Sequence, residues 1–288
     1  MNVPSHSRTM FDPERQQRER RDLADALRDM RRAAGLSGER LAARCAMSQS
    51  KISRIERGKI LPSVTDVERI LSALGVDPKE TQQFLDLART ANVHYRSIRA
   101  LAEIGLWRGQ NELSALVASS TQVRYFCPAA PSGMMQTPEY AAAILTPTVR
   151  GRPARNVERA VEARIERQTA LYDASRSFTF VTTEQAVRWN QAPAEVMAAQ
   201  ARHMADLAEL PNVTIAVVPN DAQMNAVPLS SFVVYDERFV MCELFSGSVI
   251  LRDPQEVAYH VNVLEHFQER ARVNQEAATF LRQMANES

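Results

Sequence analysis

Met47-Ser48-Gln49-Ser50-Lys51-Ile52-Ser53-Arg54-Ile55-Glu56-Arg57-Gly58 is the stretch on which the fold turns. Ile52 and Ile55 are three apart and share one helical face. Gln49, Ser50, Ser53, Arg54 and Arg57 occupy the opposite face. Ser48 stands at the capping position and Gly58 at the stop. Just upstream, Ser37 opens a shorter helix running to about Cys45. Leu41, Cys45, Met47, Ile52 and Ile55 then close a small core between the two helices. A helix that is aliphatic inside and Gln/Ser/Arg outside suits a DNA major groove, where Gln and Arg donors match adenine and guanine edges. The pattern therefore predicts base contacts from Gln49, Ser50, Ser53 and Arg54. It predicts phosphate contacts from Arg40, Ser48, Lys51, Arg57 and Lys59. Glu56 is expected to serve as a helix-surface residue or a partner within the domain rather than as a base contact.

Outward from this stretch, Leu23, Ala26, Leu27 and Met30 make the apolar stripe of a helix over about 13–34, which Gly35 stops. Pro62-Ser63 starts a further helix. Ser63 and Asp66 have capping-box spacing, Val67, Ile70, Leu71 and Leu74 form its core face, and Gly75 ends it. Asp77-Pro78 opens a fifth helix with Phe84, Leu85 and Ala88 facing inward. The predicted organisation is a disordered N-terminus over 1–12, an all-α five-helix domain over 13–90, and a connector with at least one short helix over 91–112. A second domain follows over 113–288.

Charge divides the same way. The net charge is only +1, but residues 1–100 hold 19 basic against 13 acidic side chains. The remainder holds 16 against 21. The basic half thus coincides with the segment expected to neutralise phosphates.

After Thr121 the period changes. Gln122–Cys127, Ser177–Thr182, Asn212–Pro219, Ser231–Tyr235 and Phe239–Leu244 are short and rich in Val, Ile, Phe and Tyr, and they read as strands. Asp236-Glu237-Arg238 is a predicted hairpin turn. Helices are expected at 138–145, 154–173, 193–209, 254–271 and 275–285, so the second domain is α+β and the chain is multidomain.

The run from Leu36-Ser37 through Leu41-Ala42 and Ser48–Gly58 to Pro62-Ser63 resembles the Xre-type, lambda-repressor-like helix-turn-helix of transcription regulators. The family's turn glycine is replaced by Ala46, which predicts an alanine at positive φ costing about 1 kcal/mol. Gly133-Met134-Met135-Gln136-Thr137-Pro138-Glu139-Tyr140-Ala141, with Arg164-x-x-Arg167-Gln168-x-x-Leu171 and the strand at Val213–Pro219, resembles the C-terminal domain of the actinobacterial WhiJ-like group. That resemblance implies a regulator working with a small partner protein encoded beside it, its second domain receiving a protein or ligand signal. Trp107, Gln136, Tyr140, Arg164 and Arg167 are the corresponding partner or ligand candidates. On composition alone, Trp107 reads as a packing residue and Met134 and Met135 as core filler. Arg164 and Arg167 read either as bridges to nearby carboxylates or as a clamp for a carboxylate ligand.

The remaining chemistry is expected to be sparse. Cys45, Cys127 and Cys242 are scattered without a CxxC, which argues against a disulfide framework or zinc site. His260 and His266 are six apart and make a poor metal pair. No nucleophile elbow or glycine-rich phosphate loop is visible, so neither enzyme activity nor a cofactor is expected. No signal peptide and no run of membrane length is seen, so the chain reads as cytoplasmic. The expected partners are double-stranded DNA, a second copy of the chain, and a small protein or small-molecule ligand, with no membrane. The alternative reading is an antitoxin-like protein that sequesters a small partner and autoregulates its promoter.

Overall fold

The computed structural model describes residues 13–99, 102, 105–146 and 156–287, with side chains from residue 21 onward. The expected disordered segment 1–12 lies outside the described residues. The chain divides into two compact units. The first comprises residues 1–94 together with Ile250–Glu256, and the second comprises Tyr95–Val249 and Val257–Ser288.

The first unit is helical: α1 Pro13–Ala33, α2 Gly38–Arg44, α3 Gln49–Glu56, α4 Val64–Leu74 and α5 Pro78–Asn92. The predicted caps are formed. Ser37, Ser48 and Asp77 each accept a backbone N–H at the start of α2, α3 and α5, and Ser63 and Asp66 close the reciprocal capping box of α4. Leu23, Leu27, Leu41, Cys45, Ile52, Ile55, Val67, Ile70, Leu71 and Leu85 form one buried cluster, with Met47 packed at its edge. Fully burying an Ile side chain is worth about 1.5–3 kcal/mol. Ile52 and Ile55, each 1% exposed, therefore fix which face of α3 turns inward.

The turn between α2 and α3 takes the strained form expected of it. Ala46 has φ 52°. Its N–H reaches the Ala43 carbonyl and the Met47 N–H reaches Ala42, the paired bonds of a Schellman cap.

The far segment Ile250–Glu256 is stitched into this unit. The Arg252 N–H donates to the Asn92 carbonyl at 2.8 Å, and the Val64 N–H to Asp253 Oδ2 at 2.9 Å. The other Asp253 oxygen accepts the Gln255 N–H at 2.9 Å. One carboxylate thus caps α4 and the start of the helix that follows it.

The second unit carries most of an eight-stranded mixed sheet of order β1-β7-β6-β5-β2-β3-β4-β8. Its strands are β1 Val93–Ser97, β2 Gln122–Cys127, β3 Ser177–Thr183, β4 Val213–Val218, β5 Phe232–Tyr235, β6 Phe239–Leu244, β7 Gly247–Leu251 and β8 Arg272–Val273. β2, β3 and β4 run parallel, while β5, β6 and β8 pair antiparallel. Tyr125 lies opposite Phe180, with ring centroids 4.8 Å apart. The helices are α6 Leu106–Ala118, α7 Pro138–Leu145, α8 Val157–Gln168, α9 Glu184–Arg188, α10 Ala194–Leu207, α11 Pro254–Gln268 and α12 Gln275–Glu287. A 3-10 turn, Thr169–Tyr172, extends α8. Asp236 forms the predicted turn at φ 49°.

Three expectations are revised. The connector 91–112 holds the expected helix, α6 from Leu106, but also the end of α5 at Asn92 and the strand β1. β1 and β7 were not legible as strands because His94, Arg96 and Ser97 interrupt one and a turn glycine begins the other. A Cβ on Gly247 would stand 1.7 Å from the Arg96 carbonyl oxygen, so only glycine admits this approach. The helix expected over 154–173 begins at Val157 and ends as the 3-10 turn; residues 154–155 lie outside the described residues. Among the described residues no helix is long and apolar enough to cross a membrane.

Candidate nucleic-acid interface and a buried arginine cluster

α3 presents Gln49, Ser50 and Arg54 as exposed side chains, opposite the buried Ile52 and Ile55. None of the three has a side-chain hydrogen-bond partner among the described residues. Ser48 Oγ accepts the Lys51 N–H at 3.1 Å, leaving the Gln49 and Ser50 amides at the positive end of the helix. Arg40 and Lys59 are also exposed.

The other predicted contacts are engaged within the protein. Lys51 Nζ pairs with Asp66 Oδ1 at 2.7 Å, and Asp66 is itself buried in the capping box. Lys51 therefore ties α3 to α4, which revises its assignment as a simple phosphate clamp. Arg57 folds back onto the preceding turn: its Nε donates to the Ser53 carbonyl at 3.0 Å and its Nη2 to Ser53 Oγ at 2.6 Å. Ser53 is half-buried and already accepts a hydrogen bond, so it offers less to a base edge than Gln49 or Arg54.

Glu56 braces the helix from behind. Arg31, in the last turn of α1, holds it with a two-pronged pair at 2.6 and 2.8 Å. The Arg31 guanidinium also donates to the Leu36 carbonyl at 2.7 Å. The hydrogen bond to Glu56 raises the Arg31 pKa against the cost of burial. Sequence reasoning placed Glu56 inside the domain but did not name Arg31, because 25 residues separate them.

In the second unit, the candidates divide. Tyr140 is fully buried and donates to Gln191 Oε1 at 2.6 Å; burial pushes its phenol pKa up. It is part of the core, which revises its expected role as a contact residue. Trp107 lies under the Arg159 guanidinium at 3.9 Å, a cation–π pair within the unit. Gln136, Arg164 and Arg167 do come together. Arg164 Nη1 donates to Gln136 Oε1 at 2.5 Å, and Gln136 Nε2 donates to the Pro131 carbonyl at 2.7 Å. Arg167 is 7% exposed and donates to Gln110 Oε1 at 2.8 Å and to the Met134 thioether at 3.2 Å. Desolvation lowers the Arg167 pKa, opposed by Tyr125, Tyr235 and Glu243 nearby. Glu243, on β6, is reached by water, yet desolvation raises its carboxyl pKa against the pull of Arg164 and Arg167. Sequence reasoning missed Gln110 and Glu243, which are far from the motif and carry no local pattern.

Comparison with known proteins supports the division. Residues 22–84 match a family model described as a helix-turn-helix domain. No curated protein matches the chain. Two solved structures share distant similarity. One is Nuc, a phospholipase D family member from Salmonella typhimurium, at 12% identity, covering 63% of this chain and 95% of that one with a TM-score of 0.34. The other is TrmBL2, an archaeal chromatin protein, at 13% identity, covering 71% of this chain and 65% of that one with a TM-score of 0.31. Neither likeness is close enough to bear on function. Residues 110–283, well over half of the sequence, match the model described as a domain of unknown function, DUF5753, and the chain belongs to that family, joined here to a helix-turn-helix domain.

Proposed function

We propose that the protein is a sequence-specific DNA-binding transcription regulator of the Xre type, allied to the WhiJ-like group. It acts as a dimer, and its second unit receives a small-protein or ligand signal. The observation that carries this reading is the outer face of α3, where Gln49, Ser50 and Arg54 stand exposed above a buried aliphatic face. Gln49 and Ser50 occupy the first turn, nearest the base edges. Arg54 lies on the same face one turn on and matches the guanine O6/N7 pair. The Gln49 and Ser50 amides, with Arg40 and Lys59, position the helix on phosphates. One such unit reads few base pairs, so two copies on half-sites about one turn, roughly 34 Å, apart supply the specificity. No catalytic step is part of the proposal.

A gel shift with duplex from the protein's own promoter region, against a scrambled duplex at physiological salt, tests it. Preference for the promoter of at least a hundredfold is expected; equal affinity for both overturns the reading.

A second reading is an antitoxin-like protein whose DNA binding serves autoregulation. It is favoured by the large apolar side chains Val227, Leu229 and Phe245, all strongly exposed on the second unit. Stoichiometric co-purification with the product of a neighbouring small gene supports it. A homodimer that occupies many unrelated promoters overturns it.

A further inference from the structure

We infer that the arginine pair Arg164 and Arg167, beneath Gly133, is a binding site for the carboxylate group of a small ligand. This rests on the reading that the second unit receives a signal, and it names the chemistry of that signal. The first observation is a buried cation without an ion pair. Arg167 is 7% exposed, yet its acceptors are a neutral amide oxygen of Gln110 and the Met134 sulfur. No carboxylate lies within salt-bridge distance of it among the described residues. An arginine stays protonated even when burial lowers its pKa, so the folded chain holds a desolvated positive charge with a terminal nitrogen, Nη2, that no described acceptor takes up. Buried charges are ordinarily paired.

The second observation is the convergence of a second guanidinium on that nitrogen beneath Gly133. Gly133 sits over both guanidiniums: a Cβ there would lie 3.1 Å from Arg167 Nη2 and 3.2 Å from Arg164 Nε. Glycine is thus what lets the backbone pass this close to both groups. Gln168 holds this backbone in place, its Nε2 donating to the Gly133 and Gln136 carbonyls at 3.0 and 2.8 Å.

The third observation sets the ligand's charge. Glu243 stands two residues beyond Met241, which lies opposite Val233, itself opposite Tyr125. It therefore shares the sheet face of Tyr125 and is among the charges that act on Arg167. A fixed carboxylate beside the cations repels a dianion more than a monoanion. A planar carboxylate matches the guanidinium fork, whereas a phosphate dianion meets Glu243.

The test uses the full chain, with thermal unfolding and titration calorimetry against acetate, benzoate and L-glutamate. Inorganic phosphate and chloride at matched ionic strength are the controls. At least one carboxylate is expected to raise the melting temperature by about 2 °C or more, with phosphate ineffective. Arg167→Lys, which keeps the charge and loses the fork, and Gly133→Ala, which crowds Nη2, are each expected to weaken that binding at least tenfold. Glu243→Gln is expected to tighten it. The site is refuted if no carboxylate binds, if both variants bind as well as the parent, or if phosphate binds equally. A carboxylate that binds but leaves promoter affinity unchanged in the gel shift keeps the site and removes the signalling role. Intact promoter binding with no carboxylate binding removes the site alone.

Discussion

Lys51 and Asp66 stand 2.7 Å apart, so the helix that faces outward is pinned to α4 through a side chain on its own polar edge. Asp66 is buried and also accepts the Ser63 N–H in the capping box. Lys51→Ala is expected to lower stability by about 1 kcal/mol, since it leaves a buried carboxylate short of one partner in a setting that water partly screens. Urea unfolding checks this. In gel shifts its effect on the salt dependence should fall below the full unit expected of a free phosphate-binding lysine.

Arg54 has no such duty. Arg54→Ala is expected to leave the melting temperature unchanged and to weaken specific binding by about 1–3 kcal/mol, relaxing preference at one base position. Competition gel shifts with single-base operator variants provide the measurement.

Ala46 holds a left-handed conformation at φ 52°. Ala46→Gly is expected to raise stability by about 1 kcal/mol by relieving the Cβ contact that disfavours this region. A fall in melting temperature would overturn the assignment of strain to this turn.

Arg31 and Glu56 form a nearly buried two-pronged pair, with 14% and 10% of their side chains exposed. Removing one partner strands the other charge. Glu56→Ala and Arg31→Ala are each expected to cost about 3 kcal/mol, and the double variant less than the two combined. A double-mutant cycle in denaturant measures the coupling.

Asp236 gives a pH signature. Burial raises its carboxyl pKa, but the N–H groups of Gln122 and Thr121, the Thr121 hydroxyl and Arg238 outweigh that and hold it below the usual value. A depressed acid contributes stability that is present above its unfolded pKa and is lost as pH falls through the folded one. Asp236→Asn is therefore expected to destabilise the protein at pH 7, with the difference from the parent shrinking below about pH 4. Parallel melting curves from pH 7 to pH 3 read this out.

The helical unit was legible because its signals are local. The Ser63–Asp66 capping box, the Ile52/Ile55 face and the Gly75 stop each lie within a few residues of the structure they specify. Ala46 was legible from the residue it replaces. In the second unit, β2 and β6 stood out by their β-branched and aromatic runs. β8, two residues long, and β1, half polar, had no such run. The arginine cluster was half visible: Gln136, Arg164 and Arg167 sit in recognisable motifs, whereas Gln110 joins them through the packing of α6 and Glu243 through sheet topology. The Lys51–Asp66 pair was not legible because the two residues lie on different helices, 15 residues apart.

The double cap at Asp253 bears on how this chain is made. A ribosome that has released only the first 94 residues has delivered five helices whose fourth still lacks an acceptor for the Val64 amide. That acceptor lies 189 positions beyond Val64 and emerges after nearly all of the sheet has been translated. The earliest unit to leave the exit tunnel is thus among the last to be finished, and excised alone it should melt sooner than it does in the intact protein.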